Sequence, residues 1–320
     1  MDISEQELLA AIRKVLSGAG PEVVVGVGDD AAVLEGGTGQ LVITTDALVE
    51  GSHFVRPATS ARDLGYKAIV VNVSDVAAMA ASPRYAVCAL TLSDEVDAAW
   101  TMELFGGMRE ACDEYALWLV GGNLAAGPAV TVAVTVTGEV APGRAVLRSG
   151  ASPRQRLVVT GELGAAAAGL GVASIGRPSS DEHRDLLRAY FRPIARVGEA
   201  HVLARHGASA MIDVSDGLAL DLSRVCAASG VGARLLIDEV PVAQGANRDE
   251  ALGGGEDYEL LATLPDRAAV DAARRELGEG FGVGLTDIGE ITDGGSIVAV
   301  GSDGRERALQ PEGWDHFAHG

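Results

Sequence analysis

Carboxylates in this sequence gather at the ends of apolar runs. GVGDDAAVL (26–34) sets Asp29 and Asp30 side by side in a glycine-bounded turn. TTDALVEGSHF (44–54) ends a β-type run at Asp46, and MIDVSDGLALDL (211–222) ends another with Asp213, Ser215 and Asp216. With 60–80 read as a helix capped by Ser60, Leu64, Ala68, Val71, Asp75 and Met79 share one stripe, so Asp75 interrupts an apolar face. A buried ionised carboxylate is costly unless it is paired or binds a metal. For Asp75 the choice lies between an arginine partner and a cation site; for Asp216, between the N-cap of a helix over 216–229 and a ligand. If the acids converge, two unit charges about 4 Å apart repel by about 4 kcal/mol at an effective dielectric of about 20. Lys14 and Lys67 are the only lysines among 25 basic residues, so a divalent ion is the more economical partner. Hard oxygen donors without clustered His or Cys point to Mg²⁺, which takes a few carboxylates together with substrate phosphates.

Other side chains leave two readings each. Lys67 either contacts phosphate or lies on a solvated helix face. His53, just after LVEG, is either a substrate contact or a structural hydrogen-bonding group. Trp314 in GWDHF either stacks on a flat ring or tethers the chain end.

GVGDDA also matches G-x-G-x-x-[GA], and Asp46 lies 18 residues beyond Gly28, where a dinucleotide fold places its ribose acid. Paired aspartates would then face a pyrophosphate. The 15 residues between Val25 and Leu41 include EGGTG, too little helix for a parallel crossover of about a dozen residues or more. An antiparallel turn fits better. No GxxxxGK[ST] loop and no protein-kinase motif occurs, so an ATP site must be built differently. A nucleotide sensor without turnover is a third, non-enzymatic reading.

The elements that must position these residues form a mixed α/β pattern. Strands are expected at EVVVGV, LVITTD, YAVCALTLS and AVTVAVTVTGEV, with helices near 61–81 and 95–116. The Gly-, Pro-, Arg- and Ser-rich stretch 141–155 breaks the apolar period and places a boundary near 145, giving domains 1–145 and 146–320. The second half is expected to hold strands RLVVTG, AMIDVS, ARLLIDEV, YELLATL and a final DIGEIT. Its helices are expected after Gly164, around 181–206 and over 216–229.

The 320 residues carry 25 Lys plus Arg against 45 Asp plus Glu, a formal charge of −20, which repels nucleic-acid phosphates and anionic membranes. Cys88, Cys112 and Cys226 show no CxxC spacing and suggest neither a disulfide framework nor a zinc site. The acidic start MDISEQELLAAIRKVL has a Ser4/Glu7 capping box and no apolar signal core, and no apolar run reaches the roughly 18 residues of a membrane span. A soluble cytoplasmic protein is expected.

Taken in order, GVGDDAAVL, TTDALVEGSHF, GYKAIVVNVSDVAAMAASP, RSGASP, VTGELGAAAAGL, MIDVSDGLALDL, GGGEDYELL and GWDHF cover nearly the whole chain. They resemble the thiamine-monophosphate kinase family, in the superfamily that includes aminoimidazole ribonucleotide synthetase. The N-terminal reactive Cys of selenophosphate synthetases and the C-terminal Cys of the hydrogenase-maturation members are absent. The resemblance implies a two-domain α/β fold whose N-terminal strands pair across a homodimer, with ATP and thiamine monophosphate converted to ADP and thiamine diphosphate. It implies a Mg²⁺ region of Asp30, Thr44, Thr45, Asp46, Asp75, Asp213 and Asp216. ATP contacts would come from Gly121, Gly122, Arg148 and Ser215, and thiamine monophosphate contacts from His53, the Glu256/Asp257 pair and Trp314.

The attacking oxygen would belong to a phosphate monoester whose second pKa is about 6, so no strong general base is required. One departure stands out. The family's G-G-D reads GGNLAAGP here, with Asn123 in the Asp position. An amide oxygen still ligates Mg²⁺ but brings no charge, so one ion is expected to bind more weakly.

Overall fold

The computed structural model describes residues 11, 14–15, 23–25, 33–34, 37–175, 180–311 and 313. The chain falls into two compact units, Met1–Val76 with Ala81–Arg144, and Ala77–Ala80 with Ala145–Gly320.

In the first unit, β1 (Val23–Val25) and β2 (Val33–Leu34) pair antiparallel. GVGDD therefore joins antiparallel strands, and the parallel crossover of a dinucleotide fold is not formed. Asp29 and Asp30 lie outside the described residues. A four-stranded sheet follows, made of β3 (Gln40–Val49), β4 (Ser82–Leu92), β5 (Trp118–Ala126) and β6 (Thr131–Val140) in the order β3-β6-β4-β5. Only β4 and β5 run parallel.

The period-two alternation of β6 shows how the sheet is used. Val132, Val134 and Val136 are buried, while Thr131, Ala133, Thr135 and Thr137 between them are half-buried. Leu41, Ile43 and Val87 share the threonine face by register and stay exposed. Two helices complete the unit, α1 (Ala61–Ala78) and α2 (Ala98–Glu114). Ser60 caps the first through Asp63 N at 3.0 Å. Rather than showing a single apolar stripe, α1 is buried almost all round, with Lys67, Asn72 and Ser74 inside and Asp75 half-buried.

The second unit is a seven-stranded sheet ordered β13-β12-β9-β11-β7-β10-β8. Its strands are β7 (Arg156–Thr160), β8 (Ala210–Asp213), β9 (Gly232–Leu236), β10 (Leu260–Leu264), β11 (Leu285–Thr292), β12 (Ile297–Val300) and β13 (Glu306–Ala308). The helices are α3 (Ala165–Ile175), α4 (Asp181–Phe191), α5 (Val197–Arg205), α6 (Leu218–Ser229), α7 (Arg248–Gly253) and α8 (Arg267–Phe281). Alternate strand residues feed two cores. Leu157, Val159 and Ile212 meet Leu218, Leu222 and Val225 of α6 on one side. Val158, Met211 and Leu260 meet Val202 and Leu203 of α5 and Leu277 of α8 on the other.

The strand DIGEIT is not the last, since β12 and β13 extend the sheet beyond it. Of the expected strand ARLLIDEV, residues Ile237–Glu239 form a 3₁₀ turn, which closes it early. Among the described residues no helix is long and apolar enough to cross a membrane.

Candidate functional site

In the first unit the edge strand β3 and the end of α1 meet at one contact. Thr44 Oγ1 donates to Asp75 Oδ2 at 2.6 Å. Strand alternation puts Asp46, which is exposed, on the same face as Thr44. Thr45 projects to the opposite face, where its hydroxyl donates to Val134 O at 3.1 Å and accepts from Thr135 Oγ1 at 3.0 Å.

Asn123 lies on that second face too, because it registers with Ala89 and thence Ala133 and Ala47. Asn123 is thus not brought beside Thr44 and Asp75 within this unit. The sequence places Gly121, Gly122 and Asn123 after a strand reading WLV; all three lie inside β5. Glycine is needed at 122 because a Cβ there would sit 2.0 Å from Cys88 O on the parallel neighbour.

His53 closes the turn after β3. Its Nδ1 accepts from Val49 N at 3.1 Å and its own N donates to Val49 O at 2.9 Å. A neutral ring therefore carries its proton on Nε2. Beside it Arg56 pairs with Glu50 and Glu95, and Glu50 Oε2 accepts from Val130 N at 3.0 Å. Despite its burial, Glu50 is held below the usual carboxylate range by Arg56 and that backbone donor.

In the second unit two motifs are stitched together through their backbones. Val214 N donates to Glu259 O at 2.8 Å, Tyr258 N to Val214 O at 2.9 Å and Glu256 N to Ser215 O at 2.8 Å. DVSD and GGGEDYEL therefore form one edge, with Asp213 buried at the end of β8. Glu256 and Tyr258 adopt φ of 69° and 53°, a left-handed conformation that non-glycine residues occupy at a cost.

Between them Asp257 caps α3: Oδ2 accepts from Gly164 N at 2.7 Å and Oδ1 from Ala166 N at 3.2 Å. Burial pushes its carboxyl up to about 7, with Glu259 and Glu256 adding to the rise against the two backbone donors. Glu259 is anchored below the same loop by Thr160 Oγ1 at 2.5 Å and by Arg196, whose Nη2 is 2.5 Å and Nε 2.9 Å away.

Of the two readings of Asp216, the N-cap one does not hold. Gly217, at φ 115°, occupies the cap position of α6 and makes no side-chain cap bond. The turn is held instead by Asp221, one turn into the helix, whose Oδ2 accepts from Ser215 N at 3.1 Å and Asp216 N at 3.0 Å. Asp216 pairs with Arg224. Asp221 and Arg224 do not stand out in the sequence, where they look like the polar face of an amphipathic helix.

Arg148 is exposed, and the RSGA turn that carries it wraps the Ser229 hydroxyl. Ser229 Oγ donates to Arg148 O at 3.1 Å and accepts from Gly150 N and Ala151 N at 3.2 and 3.1 Å. Trp314 lies outside the described residues. Its neighbour Gly313 packs against the DVSDG turn, where an added Cβ would lie 2.5 Å from Asp216 O.

Among the described residues no three His, Cys, Asp or Glu side chains converge as a metal cluster. In kind, the donors fit Mg²⁺: carboxylate and hydroxyl oxygens, presented as the bonded pair Thr44–Asp75 in one unit and as Asp213 and Asp216 in the other. Thiols have no part in it. Burial pushes Cys88 and Cys112 up to about 12 and Cys226 up to about 11, which keeps all three protonated near neutrality.

Residues 28–140 match the family described as AIR synthase related protein, N-terminal domain, and residues 153–302 match its C-terminal domain. The chain is 39% identical over 311 residues to the thiamine-monophosphate kinase of Salmonella typhimurium, covering 93% of each chain. The crystal structure of thiamine-monophosphate kinase from Stenotrophomonas maltophilia K279a superposes with a TM-score of 0.84 at 34% identity, covering 96% of this chain and 99% of that one. A second solved structure, AaThiL complexed with AMPPCP and TMP, gives a TM-score of 0.78 at 30% identity over 99% of both chains. With relatives this similar over nearly its full length, the chain belongs to the thiamine-monophosphate kinase family of AIR synthase related proteins.

Proposed function

We propose that the protein transfers the γ-phosphoryl group of ATP to thiamine monophosphate, giving thiamine diphosphate and ADP. The observation that carries this reading is the full-length likeness to AaThiL complexed with AMPPCP, an ATP analogue, and TMP. In the transfer a phosphate oxygen of the acceptor forms a bond to the γ-phosphorus as the bond to the β,γ-bridging oxygen breaks, and ADP leaves with that electron pair. The acceptor oxygen is already largely ionised near neutrality, so the protein's work is positioning and charge screening.

Bound Mg²⁺ would supply the positive charge that a chain of net charge −20 lacks. Asp30, Thr44, Thr45, Asp46, Asp75, Asn123, Asp213 and Asp216 are the residues we assign to hold several such ions, with Thr45 and Asn123 on the face of the first sheet opposite Thr44 and Asp75. Gly121, Gly122, Arg148 and Ser215 are assigned to ATP, and His53, Glu256 and Trp314 to thiamine monophosphate. Asp257 is better read as a structural partner of this set, since each of its oxygens already serves a backbone N–H of the α3 start. Residues 1–145 act as the ATP and Mg²⁺ domain and 146–320 complete the nucleotide and substrate site.

The protein works as a homodimer whose N-terminal strands pair across the two copies and cover the open face of the first sheet, a role that Leu41 and Ile43, 71% and 65% exposed, support. A cytoplasmic location agrees with three buried, unpaired thiols.

The test is ADP release by the purified protein with ATP and excess Mg²⁺, with and without thiamine monophosphate, while thiamine diphosphate is followed by chromatography. Acceptor-dependent ADP matched by thiamine diphosphate is expected. ADP release indifferent to the acceptor would overturn the reading.

A further inference from the structure

Arg224 stands between two carboxylates that differ in what they can spare. Its Nη1 is 2.6 Å from Asp216 Oδ2 and 2.5 Å from Asp221 Oδ1. The Asp221 side chain is completely buried, and its other oxygen is committed to the backbone donors of Ser215 and Asp216. Asp221 must keep its counter-charge, because a buried carboxylate stripped of its partner is strongly destabilising. The Asp216 side chain is 23% exposed and remains within reach of solvent and of a dissolved ion. It belongs to the acids assigned to Mg²⁺ under the proposed function, and the role of Arg224 rests on that assignment.

A guanidinium bonded to Asp216 and a divalent cation at Asp216 compete for the same negative charge. Arg224 is itself anchored at Asp221 one turn earlier on α6, so it stays nearby whether or not Asp216 holds it. We propose that Arg224 is a resident counter-cation of Asp216 that a divalent ion must displace, and that it thereby sets how much Mg²⁺ the protein requires. Arg224 is a positioning residue in this scheme and touches neither substrate. The arrangement keeps the acidic turn partly screened when metal is scarce and weakens metal binding in return.

The prediction has a sign that a purely structural role would not share. Loss of a residue that merely shapes the Asp216 turn would weaken metal binding, whereas loss of a competing cation tightens it. Mn²⁺ serves as the probe, with free Mn²⁺ read by electron paramagnetic resonance in titrations of the intact protein and no substrate present. Asp216→Asn is expected to weaken binding, Arg224→Gln to tighten it about tenfold, and Arg224→Lys to tighten it by a smaller factor.

Lysine keeps a charge beside buried Asp221 but carries it on a flexible ammonium in place of the fixed Nη1 that touches both acids, so it decides the matter if the Gln variant melts early. Equal or weaker Mn²⁺ binding by a folded Arg224 variant overturns the proposal and leaves the metal assignment standing. If Asp216→Asn leaves Mn²⁺ binding unchanged, the assignment of Asp216 fails and the proposal falls with it.

Discussion

At the scale of single residues, Asp75 and Asp257 are both partly buried carboxylates with opposite uses. Asp75 accepts the Thr44 hydroxyl at 2.6 Å, a bond that an asparagine Oδ1 also makes. Asp75→Asn should therefore keep the fold while removing the charge assigned to metal, lowering turnover by about 10²-fold or more. Near-normal turnover with an unchanged circular dichroism spectrum would make Asp75 a structural partner of Thr44 and no more. Asp257 is read through pH. An unfolded Asp titrates near about 4, whereas burial pushes the folded one up to about 7. The folded state binds more protons between these values, so this group's stabilising contribution is complete below about pH 4 and is lost as pH rises through about 7. The melting temperature of the parent protein should accordingly fall more between about pH 5 and about pH 8 than that of Asp257→Asn. Parallel falls in the two proteins would show that the carboxyl is not held protonated.

At the scale of elements, Asp75 is placed by how closely α1 approaches α2. A Cβ at Gly65 would lie 1.9 Å from Leu104 O, and one at Gly107 would lie 1.8 Å from Arg62 O, so the helices touch backbone to backbone. Gly107→Ala must push them apart, at a cost of about 1–3 kcal/mol or more and a drop of several degrees in melting temperature. Turnover should fall with it, because α1 carries Asp75; an unchanged melt would mean that the helices separate freely. Much of this layer is legible in sequence. The Ser60 cap, the span of α1, the alternation of β6 and the antiparallel pairing of the strands on either side of GVGDD are readable because local chemistry fixes each of them. Gly121 to Asn123 read as following a strand WLV because a Gly pair usually ends one, whereas at Gly122 it permits close approach to Cys88. Helix α8 escapes the sequence reading although Asp266 caps it and Gly282 ends it at φ 66°, since its buried stripe of Val270, Ala273 and Leu277 holds few large side chains. Asp221 and Arg224 need the folded turn to be recognised, because a carboxylate one turn into a helix reaches back to the preceding backbone only through tertiary geometry.

At the scale of the molecule, net charge and the open sheet face act against each other. A charge of −20 makes copies of the chain repel, while Leu41, Ile43 and Val87 expose apolar surface on one face of the first unit. Screening shortens the repulsion to about 8 Å near physiological ionic strength and leaves the apolar gain in place, so association should strengthen with salt. Leu41→Lys tests the face without harming the single chain. Leu41 lies opposite Glu139 on β6, and a lysine there gains an opposite charge across the strands in the monomer. In a dimer the same lysine would be buried at the joint. Sedimentation should give twice the chain mass for the parent protein and a shift toward one chain mass for Leu41→Lys, with a melting temperature at high dilution close to the parent's. A parent protein that sediments as a single chain at every salt concentration would exclude the dimer. An undiminished dimer in Leu41→Lys would move the joint to another surface, since a charge introduced at a residue 71% exposed in the single chain is tolerated only where that residue stays in water.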